Sequence, residues 1–388
     1  MIRKIAFLLH TPGMLVHYES TWAAMPRSDF VIVTTEGFYE DTKGNKKPGV
    51  AIFLSKVNTR SYTLLKIKDL IDAGVMYEFV VTNHIMSGYT TKPEPFFCKN
   101  LFKKMINRSL VYLGQAPRWK IVANHSTFLP LQVGHKQIRF MYGADISDSW
   151  SLDNWNEIYD IFLCHGVNDQ KALTSRFKGE CFIMGYPRYD RFYETSLDLN
   201  QINNEFDIDN TKKTLLWMPT IGGEYSSIPF FAEPLSELSS KYNIICRPHP
   251  LSFEQEPELI LLLEKFKFII DRNEVRDMNE LFSIADIVLP DYGGTPFSAI
   301  FLNKNIIFLD VPNADKADIN RGSSVLEIRE HLPILKHTEV AELDDMISTA
   351  DFYEANNKCI NELFVKYFNS PRGGGAKRVA KYFEKLLN

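Results

Sequence analysis

The chain has 388 residues, more than one hydrophobic core usually organises, so the length points to two domains with a cleft between them. With 45% hydrophobic and 24% charged residues, a disordered, collagenous or low-complexity polypeptide is excluded. A net charge of -4 argues against a general nucleic-acid binder, and no nucleic-acid partner is expected, while a local basic patch stays compatible with that total.

Short apolar, β-rich runs recur along the chain with helix-compatible segments between them, the pattern of parallel sheets covered on both faces. The class is α/β. In chain order the predicted strands are Lys4–Leu9, Phe30–Thr34, Tyr77–Thr82, Lys120–Ala123, Ile138–Met141, Tyr159–Cys164 and Cys181–Met184. The rhythm repeats at Thr214–Met218, Asn243–Cys246, Phe268–Ile270, Ile287–Pro290 and Ile306–Leu309. Between the halves, Glu194–Lys213 is polar and Asn/Asp-rich, which reads as a linker. The expected organisation is an N-terminal domain over 1–197, a linker over 198–213, a second domain over 214–370, and a C-terminal helix over 371–388 that crosses back onto the first domain.

The five cysteines are odd in number and far apart, without a CxxC pair, which fits a reduced cytosolic setting and no zinc site. The apolar run Ile5–Leu9 ends at His10 and Pro12, too short for a secretory segment, and no uncharged apolar run of 18 residues occurs. The expectation is a cytoplasmic protein, peripheral on the cytoplasmic face of a membrane where it meets one. From Pro95 to Ala144 there are eight Lys or Arg and no Asp or Glu. Lys99, Lys103, Lys104 and Arg108 fall on one side of a helical wheel, a basic amphipathic face suited to an anionic membrane surface or a polyanion. A core-packed helix with a solvated basic face accounts for the same pattern.

Three turns of the second half carry candidate chemistry. Arg247, Pro248, His249 and Pro250 follow the strand ending at Cys246. The prolines stiffen the turn around the imidazole, Arg247 offers a fork of donors for phosphate, and His249 donates a hydrogen bond or a proton. Asp291, Tyr292, Gly293, Gly294, Thr295, Pro296, Phe297 and Ser298 lead from a strand into an apolar helix, whose free first-turn N–H groups and close-approach glycines suit a phosphate. A plain strand-to-helix turn capped by Thr295 explains the same residues. Pro219, Thr220, Ile221, Gly222 and Gly223 form the third turn. On the first half, strand-end turns place His165, Arg188 and Asp190 toward the cleft. There is no GxSxG, GxxxxGK[ST], HExxH or GxGxxG signature, and the lone DxD, Asp207–Asp209, lies in the linker. No metal site is expected, and Mg²⁺ has no support in the sequence.

The second half resembles the CDP-glycerol glycerophosphotransferase family, the teichoic acid and capsular polymer enzymes. The residues that carry it are Pro219 and Thr220, the Arg247–Pro250 turn, the Asp286–Asp291 run with Tyr292, and Asn305–Asp310, with Gly185–Asp190 at the end of the first half. It spans roughly residues 137 to 380. The resemblance implies a GT-B-like arrangement, two doubly wound Rossmann-type domains facing across a cleft. It implies a CDP-linked polyol donor, most simply CDP-glycerol, bound as substrate by Thr220, Arg247, His249, Asp291, Gly293, Gly294, Thr295 and Ser298, with no tightly bound cofactor. Acceptor contacts fall to Tyr142, Arg188 and Asp190, and the acceptor is a glycan or lipid-linked polymer hydroxyl. His249 is a catalytic candidate. The family's histidine base falls on Tyr142, so Asp145 and His165 are the substitutes. The product would be a phosphodiester and CMP; the rival readings are a nucleotide-sugar glycosyltransferase and an inert nucleotide-binding subunit.

Overall fold

The computed structural model describes residues 2–9, 14–34, 38–40, 46–48, 62–83, 91–93, 119–121, 129–147, 151–152, 154–194, 197–273, 276–317 and 320–388. Strands β1 (Ile2–Leu9), β2 (Phe30–Thr34), β3 (Leu64–Lys66), β4 (Tyr77–Thr82), β5 (Gly134–Phe140), β6 (Ile161–Cys164) and β7 (Glu180–Ile183) form one sheet in the order β7-β6-β5-β4-β1-β2-β3. Its pairings are all parallel. A second parallel sheet has the order β10-β9-β8-β11-β12, from β8 (Thr214–Met218), β9 (Asn243–Cys246), β10 (Ile269–Ile270), β11 (Ile287–Pro290) and β12 (Asn305–Ile306). Central strands β6, β9 and β11 are buried at every position, which is why they read as unbroken apolar runs rather than alternating ones.

Three expectations are corrected. The strand expected at Lys120–Ala123 is Trp119–Ile121, paired antiparallel with Thr91–Pro93 outside the large sheet. The run Ile306–Leu309 splits at Ile307: β12 stays in the sheet, and Phe308–Asp310 pairs with Ile334–Lys336. The polar linker contains a helix, Leu199–Glu205, started by the Asp198 carboxylate accepting from Gln201 N at 3.0 Å. Its apolar residue Ile202, with Phe206, is buried against the second domain beside Met278 and Leu281, and Arg276 donates to Glu205 at 3.1 Å. A helix with one buried face needs few apolar residues, so a polar composition conceals it.

Helix Ala350–Tyr367 packs on the second sheet through Ile360 and Leu363, whereas Gly375–Leu387 packs on the first, with Val379 and Phe383 in the core beside Phe7. Burying a side chain such as Phe383 stabilises that crossing by roughly 1.5–3 kcal/mol. The core that holds Ile360 and Leu363 also contains Tyr186, Tyr189, Phe297, Phe301 and Phe368, and through the two tyrosines it joins the second sheet to the first domain.

Candidate functional site

In the second sheet the chain lays β9 and β10 to one side of β8, and β11 and β12 to the other. The carboxyl ends of β8 and β11 therefore flank a topological switch point, where loops diverge and leave a crevice. The Pro219–Gly223 turn follows β8 and the Asp291–Thr295 turn follows β11, while Arg247–Pro250 follows the neighbouring β9. All three singled-out turns meet at this crevice.

Buried carboxylates fasten them together. Asp291, with no exposed surface, accepts from Thr220 N at 2.9 Å, Ser227 N at 2.9 Å and Tyr292 N at 2.7 Å. Burial pushes its pKa up, and these N–H donors pull against that rise. Asp291, expected among the donor contacts, acts in the structure as a strut between turns. Glu256 does the same for the third turn: Oε1 accepts from Gly222 N at 2.9 Å and from Gly223 N, and Oε2 from Ser252 Oγ at 2.8 Å. From behind, the buried Arg329 donates to the Asp291 carbonyl at 3.0 Å and lies over the Tyr292 ring. Arg247, also expected among the donor contacts, is engaged within the protein. It is buried, donates to the Asp271 carbonyl at 3.0 Å and faces the Asp271 carboxylate at 3.4 Å, so it braces the proline turn instead of presenting its fork to solvent.

His249 is half-buried, and its Nδ1 accepts from Leu251 N at 3.2 Å. That bond fixes the tautomer with the proton on Nε2. Burial lowers its pKa, opposed by Glu256 and assisted by Arg247, so the ring is a neutral Nε2–H donor near pH 7. Gly293 adopts φ +76°, and a Cβ there would stand 3.6 Å from Thr220 Oγ1, which puts the hydroxyl against the glycine turn. A Cβ on Gly294 would meet nothing within 4 Å, so this residue borders open space. Helix Thr295–Phe301 then begins with Pro296 in its first turn and no side-chain cap. Ser298 departs from expectation: it is buried, donates to Gly294 O at 3.4 Å, and lies beside Tyr186 and Tyr189 in the interdomain core.

On the N-terminal side the candidates separate. Asp190 caps the last helix, its two oxygens accepting from Gly375 N at 2.9 Å and Ala376 N at 2.7 Å. Asp145 bridges the domains: Ser323 Oγ donates to it at 2.8 Å, and burial pushes its pKa up to about 6. His165 is buried at the end of β6, with Nδ1 2.8 Å from Asp169 Oδ2. Tyr142 is half-buried, its carbonyl accepting from Tyr186 OH at 3.5 Å. Arg188 is half-buried on the turn after β7. His17, which sequence reasoning missed, stands edge-on to Tyr142 with ring centroids 5.5 Å apart. Glu256 and Arg329 were missed as well; no local motif surrounds either, and only the folded chain brings them to the turns. Lys99, Lys103, Lys104 and Arg108 lie outside the described residues. Among the described residues no three His, Cys, Asp or Glu side chains are grouped to hold a metal ion, and no helix is long and apolar enough to cross a membrane.

The arrangement offers neutral donors, an imidazole N–H, a hydroxyl and glycine N–H groups, around one crevice, a set suited to phosphate oxygens. The profile of the family described as CDP-Glycerol:Poly(glycerophosphate) glycerophosphotransferase matches residues 111–385, extending the resemblance toward the N-terminus. A teichoic acid glycerol-phosphate primase of Bacillus spizizenii is 24% identical over 217 residues, 54% of each chain. The teichoic acid poly(glycerol phosphate) polymerase of the same organism is 26% identical over 225 residues, 55% of this chain and 54% of that one. The chain spans about half the length of these curated relatives. Among solved structures, the wall teichoic acid polymerase TagF superposes with TM-score 0.62 at 17% identity, covering 99% of this chain and 89% of that one. The Staphylococcus aureus MnaA-UDP co-structure gives TM-score 0.55 at 14% identity, covering 100% and 97%. At such identities these likenesses speak for the GT-B-like α/β fold.

Proposed function

The chain belongs to the CDP-glycerol:poly(glycerophosphate) glycerophosphotransferase family, and on that premise we propose that it moves a polyol phosphate, glycerol phosphate first, from a CDP-linked donor to a polymer hydroxyl. The acceptor oxygen attacks the donor's β-phosphorus, the bond to the bridging oxygen breaks, and CMP departs as the phosphodiester forms. The observation that carries the reading is the crevice of the second sheet, where Asp291 and Glu256 fasten two turns, Arg247 braces the third on Asp271, and His249 Nε2–H, Thr220 and the Gly293–Gly294 backbone are left for the donor. Donors held in place before the substrate arrives stabilise charge developing on the leaving phosphate at no reorganisation cost. The acceptor approaches from the N-terminal side, presented at the cytoplasmic face of a membrane, with the basic Lys99–Arg108 stretch toward anionic lipid.

Product analysis tests this directly. Incubation with CDP-glycerol and a glycerol-phosphate-primed acceptor should release CMP and lengthen the acceptor. Release of a nucleoside diphosphate from a nucleotide sugar would instead establish a glycosyltransferase, and donor binding without turnover an inert subunit.

A further inference from the structure

We propose that the N-terminal half carries a second binding site, for a phosphate ester of the acceptor, formed by His17, His165 and Arg188. It rests on the transferase reading and adds the chemistry by which the acceptor is held. Tyr186 is the hub of the geometry. Its ring centroid lies 4.2 Å from that of His165, and its hydroxyl donates to Tyr142 O at 3.5 Å. Tyr142 in turn meets the His17 ring at 5.5 Å. The helix Leu15–Ala24, which carries His17, packs on the Pro187–Tyr189 turn, which carries Arg188.

Two of the three basic groups have unused hydrogen-bonding capacity. His165 is 1% exposed; Asp169 Oδ2 holds its Nδ1 at 2.8 Å and also accepts from its backbone N–H, while Nε2 has no partner among the described residues. Arg188 Nε is shielded from solvent and equally without a partner there, and the guanidinium forms no ion pair among the described residues. Burying unpaired polar groups costs free energy, and native structures rarely retain them without a reason. Asp169 is committed to His165, and Asp277 on the adjoining helix Met278–Ile284 receives Arg191 and Asn279. Consistent with crowding by positive neighbours, the His17 imidazole is held well below its usual range, first by burial and then by Arg188 and His165. An anion between the three relieves that repulsion. A phosphate monoester suits His165 in either protonation state, donating P–O–H to a neutral Nε2 or accepting from a protonated one. Ser298 lies against Tyr186 and donates to Gly294 O at 3.4 Å, so this site is one tyrosine away from the glycine turn. That proximity fits a phosphate next to the attacking hydroxyl.

The test is calorimetric titration of the full chain with glycerol 3-phosphate while CDP saturates the donor crevice, repeated by NMR on ¹⁵N-histidine-labelled protein. Saturable binding in the presence of CDP is expected, with imidazole shifts at His17 and His165 but not at His249. Arg188→Gln and His165→Gln should each weaken it about 10- to 100-fold, the value of one charge-assisted hydrogen bond, with thermal stabilisation by CDP retained. Arg188 is only half-buried, so its variant keeps the test decisive where His165→Gln fails to fold. No binding, displacement by CDP, or unchanged affinity in folded Arg188→Gln overturns the site. If CDP itself fails to stabilise the protein, the donor reading falls instead, and the two failures are told apart.

Discussion

The strand-end edges of the two domains treat charge in different ways. On the second domain, buried carboxylates are consumed by backbone: Asp291 holds Thr220, Ser227 and Tyr292, and Glu256 holds Gly222 and Gly223. On the first domain, two buried nitrogens of basic side chains, His165 Nε2 and Arg188 Nε, have no partner among the described residues. On the proposed reading, the contrast makes the donor side a cradle assembled before any ligand arrives, whereas the acceptor side leaves buried nitrogens for a ligand to satisfy. A preorganised cradle depends on its struts as much as on its contact residues.

The largest effect should come from a strut. Asp291→Ala strips acceptors from several buried backbone N–H groups at once; at about 1–3 kcal/mol per orphaned group, partly relieved by water, a loss of roughly 3–5 kcal/mol is expected. Urea denaturation would measure it. A change below about 1 kcal/mol would mean that the turns do not lean on this carboxylate. His249→Ala should behave differently, with the thermal midpoint nearly kept and turnover reduced roughly 10²–10³-fold, the usual cost of one preorganised donor. CMP release measured beside a melting curve separates the two variants, and equal activity with and without the imidazole would break the donor assignment.

Much of this division was legible in the sequence, but unevenly. β2, β4, β8, β9 and β11 match the expected strands residue for residue, since a buried parallel strand shows itself as a short apolar run bounded by turn residues. β3 escaped because it is a three-residue edge strand with exposed, intermediate and exposed positions. The turns were located correctly; the roles of Arg247 and Asp291 were not foreseen. Sequence places an arginine and an aspartate at strand ends, yet nothing local reveals that Asp271 and the Thr220 and Ser227 N–H groups claim them. Side-chain commitments between distant segments are set by tertiary packing, and that is where sequence reasoning stops.

A smaller effect bears on the seam between the two edges. Asp145 has its pKa raised to about 6 by burial, with Ser323 opposing. A raised carboxyl favours the folded state when protonated, so its contribution is complete below about pH 4 and is lost as pH climbs through about 6. Interdomain stability should therefore fall by something on the order of 1–3 kcal/mol between pH 4 and 7, read from denaturation midpoints. Asp145→Asn should flatten that slope. A slope unchanged in the variant would assign the pH dependence to other groups.

The finest discrimination lies within the glycine pair. Gly293 sits at φ +76° and Gly294 at φ -82°, so the same alanine substitution probes strain at one and space at the other. Gly293→Ala forces a side chain into left-handed backbone and should cost about 1–2 kcal/mol of stability. Gly294→Ala meets no protein atom within 4 Å and should change stability by less than about 0.5 kcal/mol. Its methyl group projects into the open side of the crevice, so CDP affinity should drop while the fold is indifferent. If Gly294→Ala binds CDP as the parent does, the donor lies elsewhere along the crevice, and the cradle is defined by Thr220 and His249 without the start of the helix.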